Sequence, residues 1–177
     1  MAIVHFPLRL VDSRMLAPSV RHLAFARDDG QPLDFIPGQF VQVHFNYPDG
    51  TPTKRSYSLA TMHDHAMGPG EAVEIAVSYV AGGAATALFE ALDEGQQIQA
   101  SGPYGRFCLV PADTNRRYIL IGTGTGITPY RAMLPQRHGP KEKAEHRVEP
   151  APVGKDQCGG HIEQRFVAER PGHGQEG

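Results

Sequence analysis

Short runs in which apolar and polar residues alternate constrain the fold more than any other feature of this sequence. Val4, Phe6, Leu8 and Leu10 alternate with polar residues and with Pro7, and a period of two places every second side chain on one face of a β-strand. Similar apolar runs, separated by turn segments rich in glycine, proline and aspartate, cover residues 20–26, 40–45, 53–60 and 73–79. Several short strands at this spacing predict an antiparallel barrel or an antiparallel sandwich.

One short helix is predicted among these strands, at residues 84–92. Ala85, Leu88, Phe89 and Leu92 lie three or four positions apart. This spacing brings apolar side chains together on one face of a helix, so we expect an amphipathic helix here.

A different pattern begins at residues 118–121, which form a continuous apolar run. The run ends in Gly-Thr-Gly-Thr-Gly at 122–126. This pattern is typical of a parallel strand that is covered on both faces and leads into a phosphate-binding turn. Residues 127–136 are predicted to form the following helix, with Pro129 in its first turn. The turn is not a Walker loop, because no lysine followed by serine or threonine comes after the glycines.

The composition of the chain changes after residue 134. From there to residue 177 hydrophobic residues are sparse, prolines and glycines are frequent, and no period of 2 or 3.6 persists. Such a segment cannot bury enough apolar surface to offset its conformational entropy. We therefore predict a β domain at 1–113, the first strand and helix of an incomplete α/β nucleotide-binding domain at 114–136, and a disordered tail at 137–177.

Charge and composition argue against several classes of protein. The 17 basic residues are outnumbered by 19 acidic ones, so we expect no nucleic-acid partner. No apolar run reaches the roughly 18 residues that a membrane helix needs, so no membrane association is expected. The first residues do not resemble a secretory signal, because His5, Pro7 and Arg9 interrupt them. These features favour a cytoplasmic protein.

Metal and disulfide chemistry are not expected either. The chain has two cysteines, Cys108 and Cys158, too few for a disulfide framework, a four-cysteine zinc site or an iron–sulfur cluster. The nine histidines are interpreted as incidental surface residues, so no metal site is predicted.

The segment Arg-Ser-Tyr-Ser at 55–58 is the first candidate for a ligand-binding site. On a strand, Arg55 and Tyr57 point to the same face about 7 Å apart, while Ser58 points away and is available through its backbone amide. A planar ring and a fixed cation suit a ligand with a flat heterocycle and a phosphate. The alternative is a solvated arginine beside a half-buried core tyrosine.

Two further segments contain small residues and turns. Gly-Gly-Ala-Ala-Thr at 82–86 opens the predicted helix, where unpaired amides and the helix dipole favour an anion; the alternative is a tight turn before a surface helix. Gly-Pro-Tyr-Gly-Arg-Phe at 102–107 most simply forms a turn.

In combination these motifs are much more specific. Arg-x-Tyr-Ser, Gly-Gly-x-x-Thr, Gly-Pro-x-Gly-x-Phe and Gly-Thr-Gly-Thr-Gly-Ile-Thr-Pro, together with Pro-Gly-Gln-Phe at 37–40, resemble the ferredoxin–NADP reductase family over residues 3–134. The resemblance implies a mainly β fold. It would comprise a six-stranded antiparallel Greek-key barrel with one capping helix, which holds FAD, and the start of an α/β NAD(P)-binding domain.

The resemblance also implies roles for individual residues. Arg55 would pair with the FAD pyrophosphate, Tyr57 would stack on the isoalloxazine ring, and Ser58 would lie near its reactive edge. Thr125 would lie near the site of hydride transfer, so Tyr57, Ser58 and Thr125 are the candidate catalytic residues. The other implied cofactor-binding residues are Ser56, Ala76, Val77, Ser78, Gly83, Ala84, Ala85, Thr86, Gly122, Thr123, Gly124, Gly126 and Thr128.

By the same resemblance, the protein would move a hydride between NAD(P)H and flavin and pass electrons to a ferredoxin, a flavodoxin or another carrier. The family's nicotinamide domain contains several more strands and helices than the pattern after residue 134 provides. We therefore hypothesise a truncated reductase with a foreign final segment, such as a frameshift product, and impaired turnover. Two alternatives remain open: a flavin-binding module without a complete catalytic function, and a structural barrel that binds nothing.

Overall fold

A computed structural model describes residues 4–63, 66–109, 117–134 and 163–169. It contains one large antiparallel sheet of six strands, whose order in space is β4-β3-β6-β1-β2-β5. The strands are β1 (His5–Ala17), β2 (Val20–Arg27), β3 (Phe40–Asn46), β4 (Pro52–Ser58), β5 (Ala72–Ser78) and β6 (Gln97–Tyr104). The prediction of six antiparallel strands is thus confirmed.

The alternating pattern of the sequence becomes the two faces of this sheet. Along β1, Phe6, Leu8 and Leu10 are buried while the residues between them are partly exposed, and β5 shows the same alternation. The inward-facing side chains of the strands form one hydrophobic core. Burying every second residue is what a half-covered antiparallel sheet requires.

The predicted helix is α1 (Ala84–Glu90). Its Phe89 is completely buried, and Leu92 just beyond the helix is 5% exposed. Both side chains belong to the core that the sheet forms, so α1 covers that core, as the capping helix was expected to do.

The expectation of a closed barrel is wrong. Strands β4 and β5 form the two edges of the sheet, and within the described residues no strand pairing joins them. The edges meet just after β4 ends, where the amide of Ala60 donates to the carbonyl of Glu74 at 2.8 Å. The amide of Glu74 donates to Thr61 Oγ1 at 2.7 Å. We call residues 59–61 and Glu74 the seam.

The composition of β4 explains why the sheet remains open. Its sequence Pro-Thr-Lys-Arg-Ser-Tyr-Ser is mostly polar and mostly exposed. Such a strand adds little apolar surface to the core, and charged residues, above all lysine, are typical of strands at a sheet edge. An edge position leaves the charges of Lys54 and Arg55 in water.

The second sheet has two strands and differs from the prediction. Strand β7 (Arg117–Thr123) pairs antiparallel with β8 (Glu163–Glu169), with Ile119 opposite Val167. The expectation of a parallel strand is therefore wrong: the backbone groups of β7 are satisfied, within the described residues, by a partner that runs antiparallel. Strand β8 lies in the segment predicted to be disordered, and the rest of that segment lies outside the described residues.

The helix predicted at 127–136 is shorter and begins differently. A 3-10 turn spans Gly124–Ile127, and α2 follows at Thr128–Met133 with a proline in its first turn. Positions 135 and 136 lie outside the described residues. Within the described part of the chain, no helix is long and apolar enough to cross a bilayer.

Candidate functional site

Arg55 and Tyr57 lie on the same face of β4, as the strand period predicted. Tyr57 is paired with Val41 and Arg55 with Val43 across the β3–β4 ladder. Both valines are fully buried, so this face of β4 continues the core face of the sheet. Ser56 and Ser58 occupy the alternate register positions, opposite Gln42 and Phe40, and so face the other way.

Tyr57 is held between the sheet and α1. Its ring packs edge-to-face on Phe89, with the ring centroids 5.3 Å apart. Burial raises the pKa of Tyr57, against the opposing effect of the Arg55 charge, so its phenol is neutral at physiological pH. This contact joins the β4 motif to the capping helix and provides a fixed aromatic ring at the edge of the core.

Arg55 is exposed, and its hydrogen-bond partners in the part of the chain that the structure describes are all neutral. Its guanidinium donates to the Lys54 carbonyl at 2.8 Å and to Thr53 Oγ1 at 3.2 Å. It also donates to the Tyr47 hydroxyl at 3.0 Å. Hydrogen bonding with Thr53, followed by the contact with Arg55, lowers the pKa of Tyr47. Among the described residues the partners of Arg55 are neutral oxygens, so an anion could take their place.

The glycines before α1 allow the chain to turn tightly into the helix. Gly82 has a φ of 71°, in the left-handed region that favours glycine. A Cβ on Gly83 would lie 3.0 Å from the Val80 carbonyl oxygen. The Thr86 hydroxyl accepts a hydrogen bond from the Val80 amide at 2.8 Å, so it fixes this turn. The first-turn amides of Ala84, Ala85 and Thr86 have no acceptor within the helix.

A second group of predicted residues meets at the end of β5. Val77 points into the core, whereas Ala76 and Ser78 are on the outer face. The Ser78 hydroxyl lies 3.2 Å from Thr125 Oγ1. The structure therefore brings the predicted flavin strand and the predicted nicotinamide turn into contact.

A cavity of about 560 Å³ separates the outer face of the sheet from the segment 122–128. The predicted residues that line it are Ala76, Gly122, Gly124, Thr125 and Thr128. Arg55, Tyr57 and Ser58 are not part of its lining. The predicted residues thus form two clusters, one around Tyr57 and α1 and one around Ser78 and Thr125.

The sequence-based reasoning missed three residues beside this cavity. Arg131 Nη1 donates to the Ala60 carbonyl at 2.6 Å and to the Glu74 carboxylate. Glu74 also lies 3.5 Å from Nε2 of His22. The His22 side chain is 9% exposed, and neither ring nitrogen has a hydrogen-bond partner among the described residues. A buried histidine in an apolar run is the one sequence signal that could have indicated this cluster.

No metal site is found in the described part of the chain, where His, Cys, Asp and Glu residues do not cluster in groups of three or more. Cys108 is a free, partly exposed thiol. Some of the histidines and cysteines considered in the sequence, among them His65, Cys158 and His161, lie outside the described residues.

Comparison with known proteins gives a family match over the sheet. A family model described as an oxidoreductase FAD-binding domain matches residues 7–108. Ferredoxin–NADP reductase B of Sorangium cellulosum strain So ce56 is 38% identical over 129 residues, an alignment that covers 73% of this chain and 50% of the relative. The chain thus spans about half the length of this relative.

Solved structures share the fold. A cytochrome P450 reductase from Amycolatopsis matches with a TM-score of 0.59 and 28% identity, covering 74% of this chain and 38% of that one. A ferredoxin–NADP⁺ reductase from Neisseria gonorrhoeae, solved with bound FAD and NADP, matches with a TM-score of 0.55 and 19% identity, covering 75% of this chain and 51% of that one. The second match concerns the fold alone.

Proposed function

The chain belongs to the oxidoreductase FAD-binding domain family of ferredoxin–NADP reductase-like proteins, and from this premise we propose that it binds FAD at the cluster around Arg55, Tyr57 and α1. The family transfers electrons between NAD(P)H and carrier proteins through flavin. The observation that carries the proposal is the placement of an exposed guanidinium and a fixed neutral phenol on one face of β4.

The chemistry of these residues fits the two parts of FAD. The guanidinium of Arg55 has the planar fork that binds a pyrophosphate through charge-assisted hydrogen bonds. Its present partners are weak competitors, because they are exposed neutral oxygens. The first-turn amides at the start of α1 are proposed as further donors, and Tyr57 contacts the same helix at Phe89, near its other end. Each charge-assisted hydrogen bond contributes about 1.5–3 kcal/mol.

The flavin ring would be positioned by Tyr57 and Ser58. Tyr57 offers a neutral ring for stacking, which contributes about 1 kcal/mol. The side chain of Ser58 faces away from Tyr57, so the residue acts on the ring through its backbone amide. Ser56, on the same face as Ser58, is a further proposed contact. The backbone of Ala76, Val77 and Ser78 on β5 is proposed to contact FAD from the side of the second cluster.

The proposed role of the 122–128 turn is to bind the nicotinamide nucleotide, with Thr125 next to Ser78. When bound, FAD supplies the capacity to accept a hydride and release single electrons. The chain's own contribution is to hold the two nucleotides close together and out of water. The proposed acceptor is a ferredoxin, a flavodoxin or another single-electron carrier, as the ferredoxin reductase relative suggests.

A flavin-binding module with impaired NAD(P)H turnover is the second candidate function. Ile119 and Ile121 of β7 are 71% and 53% exposed, although such a strand is covered on both faces in a complete α/β domain. Within the described residues one strand and one helix represent that domain, so the nicotinamide would be held by fewer contacts. This observation favours FAD binding without ordinary turnover.

The visible spectrum of the purified chain, taken before and after NADPH is added without oxygen, tests both candidates. We expect the absorption bands of oxidised flavin in the first spectrum and little bleaching in the second. Rapid bleaching of the flavin bands by NADPH would overturn the proposal that NAD(P)H turnover is impaired. Absence of flavin bands even after incubation with FAD and removal of the excess would overturn the proposal that the chain binds FAD.

A further inference from the structure

Arg131 connects the two edges of the open sheet. The seam between these edges has two direct hydrogen bonds, from Ala60 to the Glu74 carbonyl and from Glu74 to Thr61. Arg131 Nη1 contacts one acceptor on each side, the Ala60 carbonyl at 2.6 Å and the Glu74 carboxylate. A single guanidinium nitrogen therefore bridges the seam.

The arginine comes from outside the sheet. It lies on α2, which follows the 122–128 turn, and α2 is anchored by Ala132 and Thr128, which are 4% and 5% exposed. Ala132 belongs to the same hydrophobic core as the sheet. The position of Arg131 over the seam is therefore set by packing of α2 on the sheet.

The carboxylate of Glu74 has a second basic neighbour. His22 Nε2 lies 3.5 Å from it on the cavity side, and the His22 ring is nine-tenths buried. The Glu74 and Arg131 side chains are 25% and 40% exposed, so water screens their attraction in part. The geometric effect of the bridge on the two edges matters more than its Coulomb energy.

The residues of the proposed flavin site lie on the two strands that this bridge connects. Arg55, Tyr57 and Ser58 are on β4, which ends immediately before the seam, whereas Ala76, Val77 and Ser78 follow Glu74 on β5. No strand pairing joins β4 to β5 within the described residues, so the seam contacts are what link these two edges directly.

We propose that Arg131 is a positioning residue for FAD: it clamps the seam so that β4 and β5 keep the spacing that the flavin requires, although it lies in the segment assigned to the nucleotide-binding domain. The clamp explains how a helix of that segment controls a site on the sheet. The flavin part of this inference rests on the proposed function, whereas the clamp itself can be measured without flavin.

The test with flavin compares dissociation constants for FAD among variants of the full chain. We expect Arg131→Ala to weaken FAD binding about tenfold, which corresponds to about 1.4 kcal/mol, and to alter the visible circular dichroism of the bound flavin. Arg131→Lys keeps a donor of the same charge, so it should recover most of the affinity. Arg9→Ala removes an exposed arginine–carboxylate pair with Asp28 elsewhere on the sheet and should change neither readout.

A double variant tests whether Glu74 is the residue through which Arg131 acts. If the clamp acts through Glu74, then adding Glu74→Ala to Arg131→Ala should weaken FAD binding less than the sum of the two single effects. If the effects of the two substitutions on FAD affinity are strictly additive, Arg131 and Glu74 do not act together.

The test without flavin is amide hydrogen exchange of Ala60 and Glu74 in the apo chain. We expect Arg131→Ala to accelerate exchange at both amides relative to the Arg9→Ala control. Unchanged exchange would overturn the clamp. Faster exchange with unchanged FAD affinity would overturn only the role of Arg131 in FAD binding. If the unsubstituted chain does not bind FAD, both that role and the proposed function are overturned.

Discussion

Strands β1 and β7 are both rich in apolar residues, yet they lie in very different surroundings. Leu8 and Leu10 of β1 are 1% and 0% exposed, whereas Ile119 and Ile121 of β7 are 71% and 53% exposed. The difference comes from neighbours. Strand β1 lies between β2 and β6 in a six-stranded sheet, whereas β7 pairs with one strand within the described residues. Apolar character favours burial, but it produces burial only where other elements complete the core.

The two regions also differ in how much of their proposed ligand site they contain. On the sheet, the strand motif, the capping helix and the seam are all described, and the motif contacts the helix through Tyr57 and Phe89. In the second region, the 122–128 turn and one helix lie beside a cavity of about 560 Å³. We therefore expect the chain to bind FAD more tightly than it binds the nicotinamide nucleotide.

The largest expected effect tests the contrast in burial. Leu10→Ala should lower the free energy of unfolding by about 2–5 kcal/mol, because it leaves a cavity in the core. Ile119→Ala is the matched control on β7, and its effect should remain within about 0.5 kcal/mol because the side chain is exposed. Denaturant unfolding followed by fluorescence or circular dichroism measures both. Equal losses would mean that β7 is buried in solution.

The next effect concerns the ligand site of the complete region. Arg55→Ala should weaken FAD binding by one to two orders of magnitude, because it removes charge-assisted hydrogen bonds to the pyrophosphate worth about 1.5–3 kcal/mol each. Lys54→Ala removes a neighbouring exposed cation at the alternate register position and should have little effect. FAD retained on gel filtration measures the loss, and unchanged retention in Arg55→Ala would remove Arg55 from the site.

The smallest effect is a pH dependence of the sheet. Burial, followed by the charges of His5 and Lys54, lowers the pKa of His44 from its ordinary value. His44 also stacks on His5, with the ring centroids 4.2 Å apart, and hydrogen-bonds Ser101 at 2.7 Å. As pH falls, the unfolded chain takes up this proton before the folded one, so stability is lost below the ordinary pKa of about 6.5.

The measurement is the change in Tm between about pH 7.5 and pH 5.5. Tm should fall over this interval, and it should fall less in His44→Gln, which cannot be protonated. An equally steep fall in the variant would assign the pH dependence to other groups.

Local patterns predicted the sheet well. The alternation of Leu8 and Leu10, the helical face with Leu88 and Phe89, and the shared face of Arg55 and Tyr57 each depend on neighbours within a few positions. Period-two and helical spacing determine which side chains share a face, and burial of that face follows once other elements are in place. These features could therefore be read from the sequence.

Long-range contacts could not be read in the same way. The open seam, the bridge from Arg131 to Glu74 and the pairing of β7 with β8 join residues that are far apart in sequence. Their formation depends on the register and spacing of whole strands, which no local pattern specifies. A closed barrel was expected from the family resemblance, but the polar sequence of β4 favours an edge strand.

The most direct test of the central claim is an NMR titration of the isotope-labelled chain with FAD. The account predicts saturable shifts with one equivalent of FAD at the Arg55 side chain, the Tyr57 ring and the amides of Ala84, Ala85 and Thr86. Saturable binding that shifts other surfaces and leaves these resonances unchanged would contradict it.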